Sequence, residues 1–171
     1  MALVRMDIQT IIVGNGPVAS LVVLKSRVRK GDIPRQLPIK IGGIEAAAIS
    51  VGIGETRTTR PVTHDLLATA IRRLGATVKS VAIVDVRGTT FYAKLMLLSV
   101  DGYNIEIDCR PSDAIALAVR TGVPILADEK VLETASTPDF NGVEHDEKER
   151  DLERFHDFVS SLSPEDFSTS E

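Results

Sequence analysis

The sequence predicts an α+β domain whose core is an antiparallel or mixed β-sheet, and three patterns in its 171 residues carry that prediction. Runs of β-branched residues broken by turn formers spell out an N-terminal hairpin and, later, a three-strand meander. Apolar residues at helical spacing supply about three helices to pack on that sheet. A last amphipathic stripe near the C-terminus adds one more helix.

Taken in order, Leu3-Val4-Arg5-Met6-Asp7-Ile8-Gln9-Thr10-Ile11 alternates apolar and polar side chains at the two-residue period of a half-buried strand. Asn15-Gly16-Pro17 interrupts it, and residues 18–24 resume the β-branched pattern, which makes a hairpin. Arg27-Val28-Arg29-Lys30-Gly31-Asp32 is a basic turn. Pro34 and Pro38 bracket an extended piece at 37–41, an edge strand because proline cannot donate to a ladder. After Gly42-Gly43, Glu45-Ala46-Ala47-Ala48-Ile49-Ser50-Val51 has the small helix formers of a helix packed closely on a neighbour.

Leu66, Leu67, Ala70, Ile71 and Leu74 predict a second helix. Thr63 is its expected N-cap, Asp65 sits where the dipole favours an anion, Arg72 and Arg73 fill the last turn, and Gly75 is the stop. Residues 77–86, 90–100 and 103–109 form the meander, punctuated by Arg87-Gly88 and Asp101-Gly102. Pro111-Ser112-Asp113 opens an alanine-rich helix that runs to Gly122, residues 123–127 are a brief strand, and Asp128 caps a short helix ending about residue 135. Residues 1–135 are thus read as one domain, 136–146 as a polar linker, and 147–171 as an acidic helix and tail with Leu152, Phe155, Val159 and Leu162 on one face.

Charge is distributed in the same blocks. The whole chain carries a net charge of −4, with a pI near 5.4. Residues 1–40 hold seven Lys and Arg against two Asp, residues 41–138 hold ten basic against eleven acidic groups, and residues 139–171 hold three against eleven. The first 138 residues therefore lean to +4 and the tail to −8, so overall acidity does not exclude an anionic ligand. No apolar run approaches the roughly 18 residues that a bilayer demands, and no apolar block follows Arg5, so a soluble, non-exported protein of the cytoplasm is expected. Cys109, the single cysteine, excludes an internal disulfide and a multi-thiolate zinc site.

The chain has no phosphate-binding glycine loop, nucleophile elbow or paired histidines on a helix. What stands out is Glu106-Ile107-Asp108-Cys109-Arg110-Pro111-Ser112-Asp113. Strand alternation puts Glu106 and Asp108 on one face, with Ile105, Ile107 and Cys109 on the other, where Cys109 reads as a packing residue. Asp113 follows in the first turn of the next helix. Two readings stay open on spacing alone. Hard oxygen donors of this kind suit Mg²⁺ or Mn²⁺, held by Asp108, Asp113 and Glu106. The same carboxylates paired to Arg110 would instead be a structural ion-pair knot. Glu45 is either a dipole partner or a further ligand, and His64 either a proton-transfer group or phosphate contact, or a solvent-facing first-turn residue.

Four separated segments, in order, resemble the bifunctional nuclease (BFN) domain family over about residues 3–135. They are Leu37-Pro38-Ile39-Lys40-Ile41-Gly42-Gly43-Ile44-Glu45-Ala46-Ala47-Ala48-Ile49, Arg60-Pro61-Val62-Thr63-His64-Asp65-Leu66-Leu67, Thr90-Phe91-Tyr92-Ala93-Lys94-Leu95, and Ile107-Asp108-Cys109-Arg110-Pro111-Ser112-Asp113-Ala114-Ile115-Ala116-Leu117-Ala118. The resemblance implies a compact α+β domain and cleavage of RNA and DNA, and it promotes Glu45, His64, Asp65, Asp108, Arg110, Ser112 and Asp113 as site candidates.

The expectation is therefore a metal-dependent nuclease with little sequence specificity. Asp108, Asp113, Arg110, His64 and Glu45 would be its catalytic group, and Lys25, Arg27, Arg29 and Lys30 its phosphate contacts. With aromatics at 4% and no Trp, such an enzyme would grip backbone rather than stack on bases. A homo-oligomer such as a dimer is expected. The alternative is a non-catalytic oligomeric binding or regulatory module in which the Asp/Arg cluster is structural.

Overall fold

In the computed structural model the description covers residues 2–14, 19–28, 32–54 and 59–139. The chain forms β1 (Leu3–Ile12), β2 (Ser20–Ser26), β3 (Arg35–Ile41), α1 (Gly43–Ile53), α2 (Thr63–Arg73), β4 (Thr77–Arg87), β5 (Thr90–Leu98), β6 (Asn104–Cys109), α3 (Pro111–Thr121), β7 (Ile125–Asp128), α4 (Glu129–Ala135) and β8 (Thr137–Pro138). The strands make one sheet in the order β6-β5-β4-β7-β1-β2-β3-β8. The fold is α+β with a mixed sheet.

Two antiparallel units, β1-β2-β3 and β4-β5-β6, are the expected hairpin-plus-edge strand and meander. The short β7 joins them. It runs parallel to β4, with Val81, Ala82 and Ile83 opposite Ile125, Leu126 and Ala127, and antiparallel to β1. That central place follows from its side chains, since Ile125, Ala127 and Asp128 are all buried. Strand β3 is an edge over most of its length, because β8 pairs only with Arg35 and Gln36. The β1–β2 turn at Asn15-Gly16-Pro17 and the C-terminal helix of residues 147–171 lie outside the described residues.

The core is built by alternation in the strands and by one helix apolar on nearly every side. Val22 and Leu24 of β2 face Ile39 and Leu37 of β3 across the pair, all buried. In α3, Ala114, Ile115, Ala116, Leu117 and Ala118 are all buried, as expected of a helix enclosed by other elements. It packs against α1, α2, β4 and β5.

Two expectations change. The N-cap of α2 is Val62, and Thr63 is the first helical residue. The reason is Asp65, whose Oδ2 accepts from the Val62 N–H at 2.9 Å and serves the helix start without a hydroxyl cap. On β6, Ile105 and Ile107 do lie opposite core residues Leu97 and Leu95, but they remain 40% and 44% exposed because β6 is the terminal strand and nothing among the described residues covers its far side. Gly75 stops α2 with φ +80°, and Asp128 caps α4 through the Lys130 N–H at 3.1 Å, as expected.

Candidate functional site

The β6–α3 junction turns the chain at Arg110, which is the extended N-cap residue of α3, with Pro111 in the first helical position. Asp113 follows in the first turn and folds back on the cap. Its Oδ2 accepts from Arg110 Nε at 2.7 Å and its Oδ1 from Nη2 at 3.0 Å, a two-point fork. The remaining guanidinium nitrogen, Nη1, donates to Glu45 Oε1 at 2.9 Å, from the first turn of α1. His64, in the first turn of α2, brings Nε2 to 3.3 Å from Asp113 Oδ1. The amino ends of three helices thus meet around one cation, and each contributes partial positive charge. Gly42 shapes the α1 end, because a Cβ there would stand 2.1 Å from Glu45 Oε2 and would drive that carboxylate out of place.

The electrostatics follow from this geometry. The Arg110 fork holds the Asp113 carboxyl below the usual range, part-burial opposes it, and the His64 contact reinforces it. Asp113 in turn raises Arg110, with Glu45 adding to it. Arg110 is nonetheless 65% exposed, while His64 is 14% exposed. Beside it opens a cleft of about 460 Å³ lined by Lys40, Gly42, Glu45, Thr90, Phe91, Arg110 and Ser112, among others. Residues from three of the four family-like segments share this wall, and His64, from the fourth, meets Asp113 without lining the cleft.

The structure therefore brings together Glu45, His64, Arg110 and Asp113, and leaves Asp108 and Glu106 elsewhere. These two share a face of β6, as alternation requires, but it is the face opposite that of Ile105, Ile107 and Cys109. Asp108 stands across from Lys94, and Glu106 accepts from Lys94 Nζ at 2.6 Å. Among the described residues no three His, Cys, Asp or Glu side chains are grouped so that they could hold a metal ion. Of the set expected to hold Mg²⁺ or Mn²⁺, Asp113 is held by the Arg110 guanidinium and Glu106 by Lys94.

Lys25 and Arg27 do not line the cleft. Arg27 pairs with Asp7, which it holds below the usual carboxylate range, and Lys25 lies across from Asp7 and Gln36 on β2. Arg29 and Lys30 lie outside the described residues. The thiol of Cys109 is half-buried, and burial together with Asp108 and Asp113 pushes it up to about 11, which suits packing rather than attack. Sequence reasoning passed over Lys40 and Phe91 as wall residues, although both stand in segments that carried the resemblance. It also passed over Arg120, whose signal was a cation near the end of a buried alanine-rich helix.

A family model described as the bifunctional nuclease domain matches residues 22–139. The chain belongs to the bifunctional nuclease domain family. An uncharacterized protein of Mycobacterium tuberculosis is 42% identical over 152 residues, covering 86% of this chain and 89% of its own. "Bifunctional nuclease 2" of Oryza sativa subsp. japonica is 33% identical over 91 residues, 52% of this chain and 28% of the rice protein. "Bifunctional nuclease 1" of Oryza sativa subsp. indica is 27% identical over 97 residues, 56% of this chain and 29% of its own length. The bifunctional nuclease domain match encloses Glu45, His64, Arg110 and Asp113 and omits residues 140–171. No helix among the described residues is long and apolar enough to cross a membrane.

Proposed function

We propose that the Arg110 site hydrolyses phosphodiester bonds in RNA, DNA or both, with little sequence specificity. The observation that carries this reading is the convergence of Glu45, His64, Arg110 and Asp113, from three helix starts, on one solvent-facing guanidinium beside an open cleft. An exposed arginine backed by helix amino ends attracts phosphate, and Lys40 on the cleft wall adds a second cation. Glu45 and Asp113 fix the plane of the guanidinium so that its outer edge faces the substrate. Asp113 orients His64 through Nε2, which leaves Nδ1 to take a proton from the attacking oxygen or to return one to the leaving oxygen.

Mg²⁺ and Mn²⁺ are variables of the assay: of the three carboxylates expected to hold such an ion, Asp113 pairs with Arg110 and Glu106 with Lys94. The exposed Ile44, Leu66, Ile105 and Ile107 support a homo-oligomer such as a dimer, and the single free Cys109 suits the cytoplasm. The division into a domain of residues 1–135, a linker and an acidic tail belongs to the same reading.

One observation favours the second reading, a non-catalytic binding or regulatory module. Nε, Nη1 and Nη2 of Arg110 all already donate to carboxylates, as in a structural knot. The readings part in an assay of metal-stripped protein on labelled single-stranded RNA and DNA, with Mg²⁺, Mn²⁺ or chelator, repeated on folded Asp113→Asn and Asp108→Asn proteins. Cleavage lost in Asp113→Asn and kept in Asp108→Asn supports the Arg110 site. Cleavage unchanged in Asp113→Asn removes that site, and no cleavage under any condition leaves the binding module.

A further inference from the structure

We propose that a second cleft, enclosed by α1, α2 and α3 around Arg120, binds a small ligand carrying a phosphate or carboxylate group on an apolar body. This cleft has a volume of about 950 Å³, within the roughly 300–1,000 Å³ of small-molecule sites, and it shares no lining residue with the cleft beside Arg110.

Arg120 is the reason to assign it a ligand. Its side chain is 6% exposed. Nε donates to Asp65 Oδ1 at 2.6 Å and Nη1 to the Ala116 carbonyl at 2.8 Å. Nη2 is buried and has no acceptor among the described residues. A buried charged donor without an acceptor is disfavoured, and such a group calls for a partner such as a bound anion or an ordered water.

The surroundings are cut to fit this side chain. At Gly52 of α1 a Cβ would lie 2.7 Å from Arg120 Nη1 and 2.6 Å from Val119 Cγ2, so the absence of a side chain there is what admits the guanidinium between the helices. Among the described residues of the cleft wall Arg72 is a second cation and Asp65 the one carboxylate, so with Arg120 these three groups leave one positive charge for a ligand anion. Ala68, Val78 and Val119 supply an apolar floor. A planar guanidinium matches a carboxylate or phosphate in two-point geometry, and a small adjustment that opens Nη2 to the cleft completes the contact.

Calorimetry and thermal unfolding of the full-length protein test this with two probes. Inorganic phosphate tests the phosphate source, and benzoate tests a carboxylate on an apolar body. Saturable binding and a matching rise in Tm are expected with at least one of them. Arg120→Lys removes the fork, and Arg72→Glu reverses a wall charge outside the core; each should weaken binding about tenfold or more. Arg72→Glu carries the test if Arg120→Lys does not fold. A Lys130→Gln protein, altered at an exposed cation that lines neither cleft, should bind the probe as the wild type does. No saturable binding of either probe would overturn the proposal, as would undiminished binding in Arg72→Glu, or binding lost in Lys130→Gln and kept in Arg120→Lys.

Discussion

His64 and Asp113, 49 residues apart in sequence, meet at 3.3 Å between Nε2 and Oδ1, and the next residue of α2, Asp65, reaches Arg120 at 2.6 Å two turns further along α3. Two consecutive side chains of α2 therefore clasp α3 near both of its ends. The clasp fixes the histidine, and through Asp113 it fixes the plane of Arg110.

That arrangement makes Arg110→Lys an informative change. A lysine keeps the charge but loses the planar fork that Asp113 and Glu45 hold. Arg110 is 65% exposed, so stability should fall by no more than about 1 kcal/mol. Phosphodiester cleavage should fall about 100-fold, the order of loss seen when one preorganised electrostatic contact is removed. Thermal unfolding beside an oligonucleotide assay reads both.

The acid limb of stability should depend on Asp113. Its folded-state pKa lies below the ordinary value of 3.8, so below that value the unfolded chain binds the proton more readily than the folded one. The stabilisation is fully present above pH 3.8 and disappears as pH falls through the lower folded value. Urea unfolding from pH 7 down to pH 2 should show a shallower acid slope in Asp113→Asn than in the wild type. Asp7 and Asp65 are lowered as well and retain the rest of the slope.

Cys109 should be slow to react. A thiol pushed up to about 11, against an ordinary 9.0, has roughly 100-fold less thiolate at pH 8. Labelling with a thiol reagent should be at least that much slower in the folded protein than in urea, and equal rates would contradict the placement of this side chain.

Ile115 is fully buried in the helix that carries the site. Ile115→Ala should cost about 2–5 kcal/mol, measured by denaturant unfolding, with the loss set by how far α1 and α2 can close over the gap.

Much of the fold is legible because its signals are local. Alternation in β1, the helical spacing of Leu66, Ile71 and Leu74, and the Gly75 stop each act within one element. The place of β7 is not local. It depends on pairing with β1 at Leu3–Asp128 and with β4 at Val81–Ile125, contacts that no window of sequence contains. The site divides in the same way. Arg110 and Asp113 are three residues apart, and their pairing could be read directly, but Glu45 and His64 reach them across 65 and 49 residues. The proximity of Asp108 to Asp113 in sequence misleads: alternation shows that Asp108 lies on the face opposite Cys109, but which residue it meets there, Lys94, follows only from the strand register. Ile105 and Ile107 had the pattern of a covered face, and their exposure follows from the place of β6 at the end of the sheet.

The tail gives an electrostatic test. Residues 139–171 carry three basic and eleven acidic groups, and the body of residues 1–138 leans basic. A folded protein ending at residue 138 should bind single-stranded oligonucleotide more tightly than the full chain, with a steeper dependence of affinity on salt. Equal slopes would show that the tail does not screen the body.

The central claim is that Arg110, held by Asp113 and Glu45 and flanked by His64, is where a phosphodiester bond is cleaved. The most direct measurement is the single-turnover cleavage rate of one labelled oligonucleotide by wild type, His64→Gln, Arg110→Lys and the double variant, all shown to be folded. Residues acting on one substrate group as a unit lose less together than the product of their single losses. The account predicts each single variant slowed at least about tenfold, and the double variant slower than either by less than that product. Wild-type rates in both single variants would contradict it.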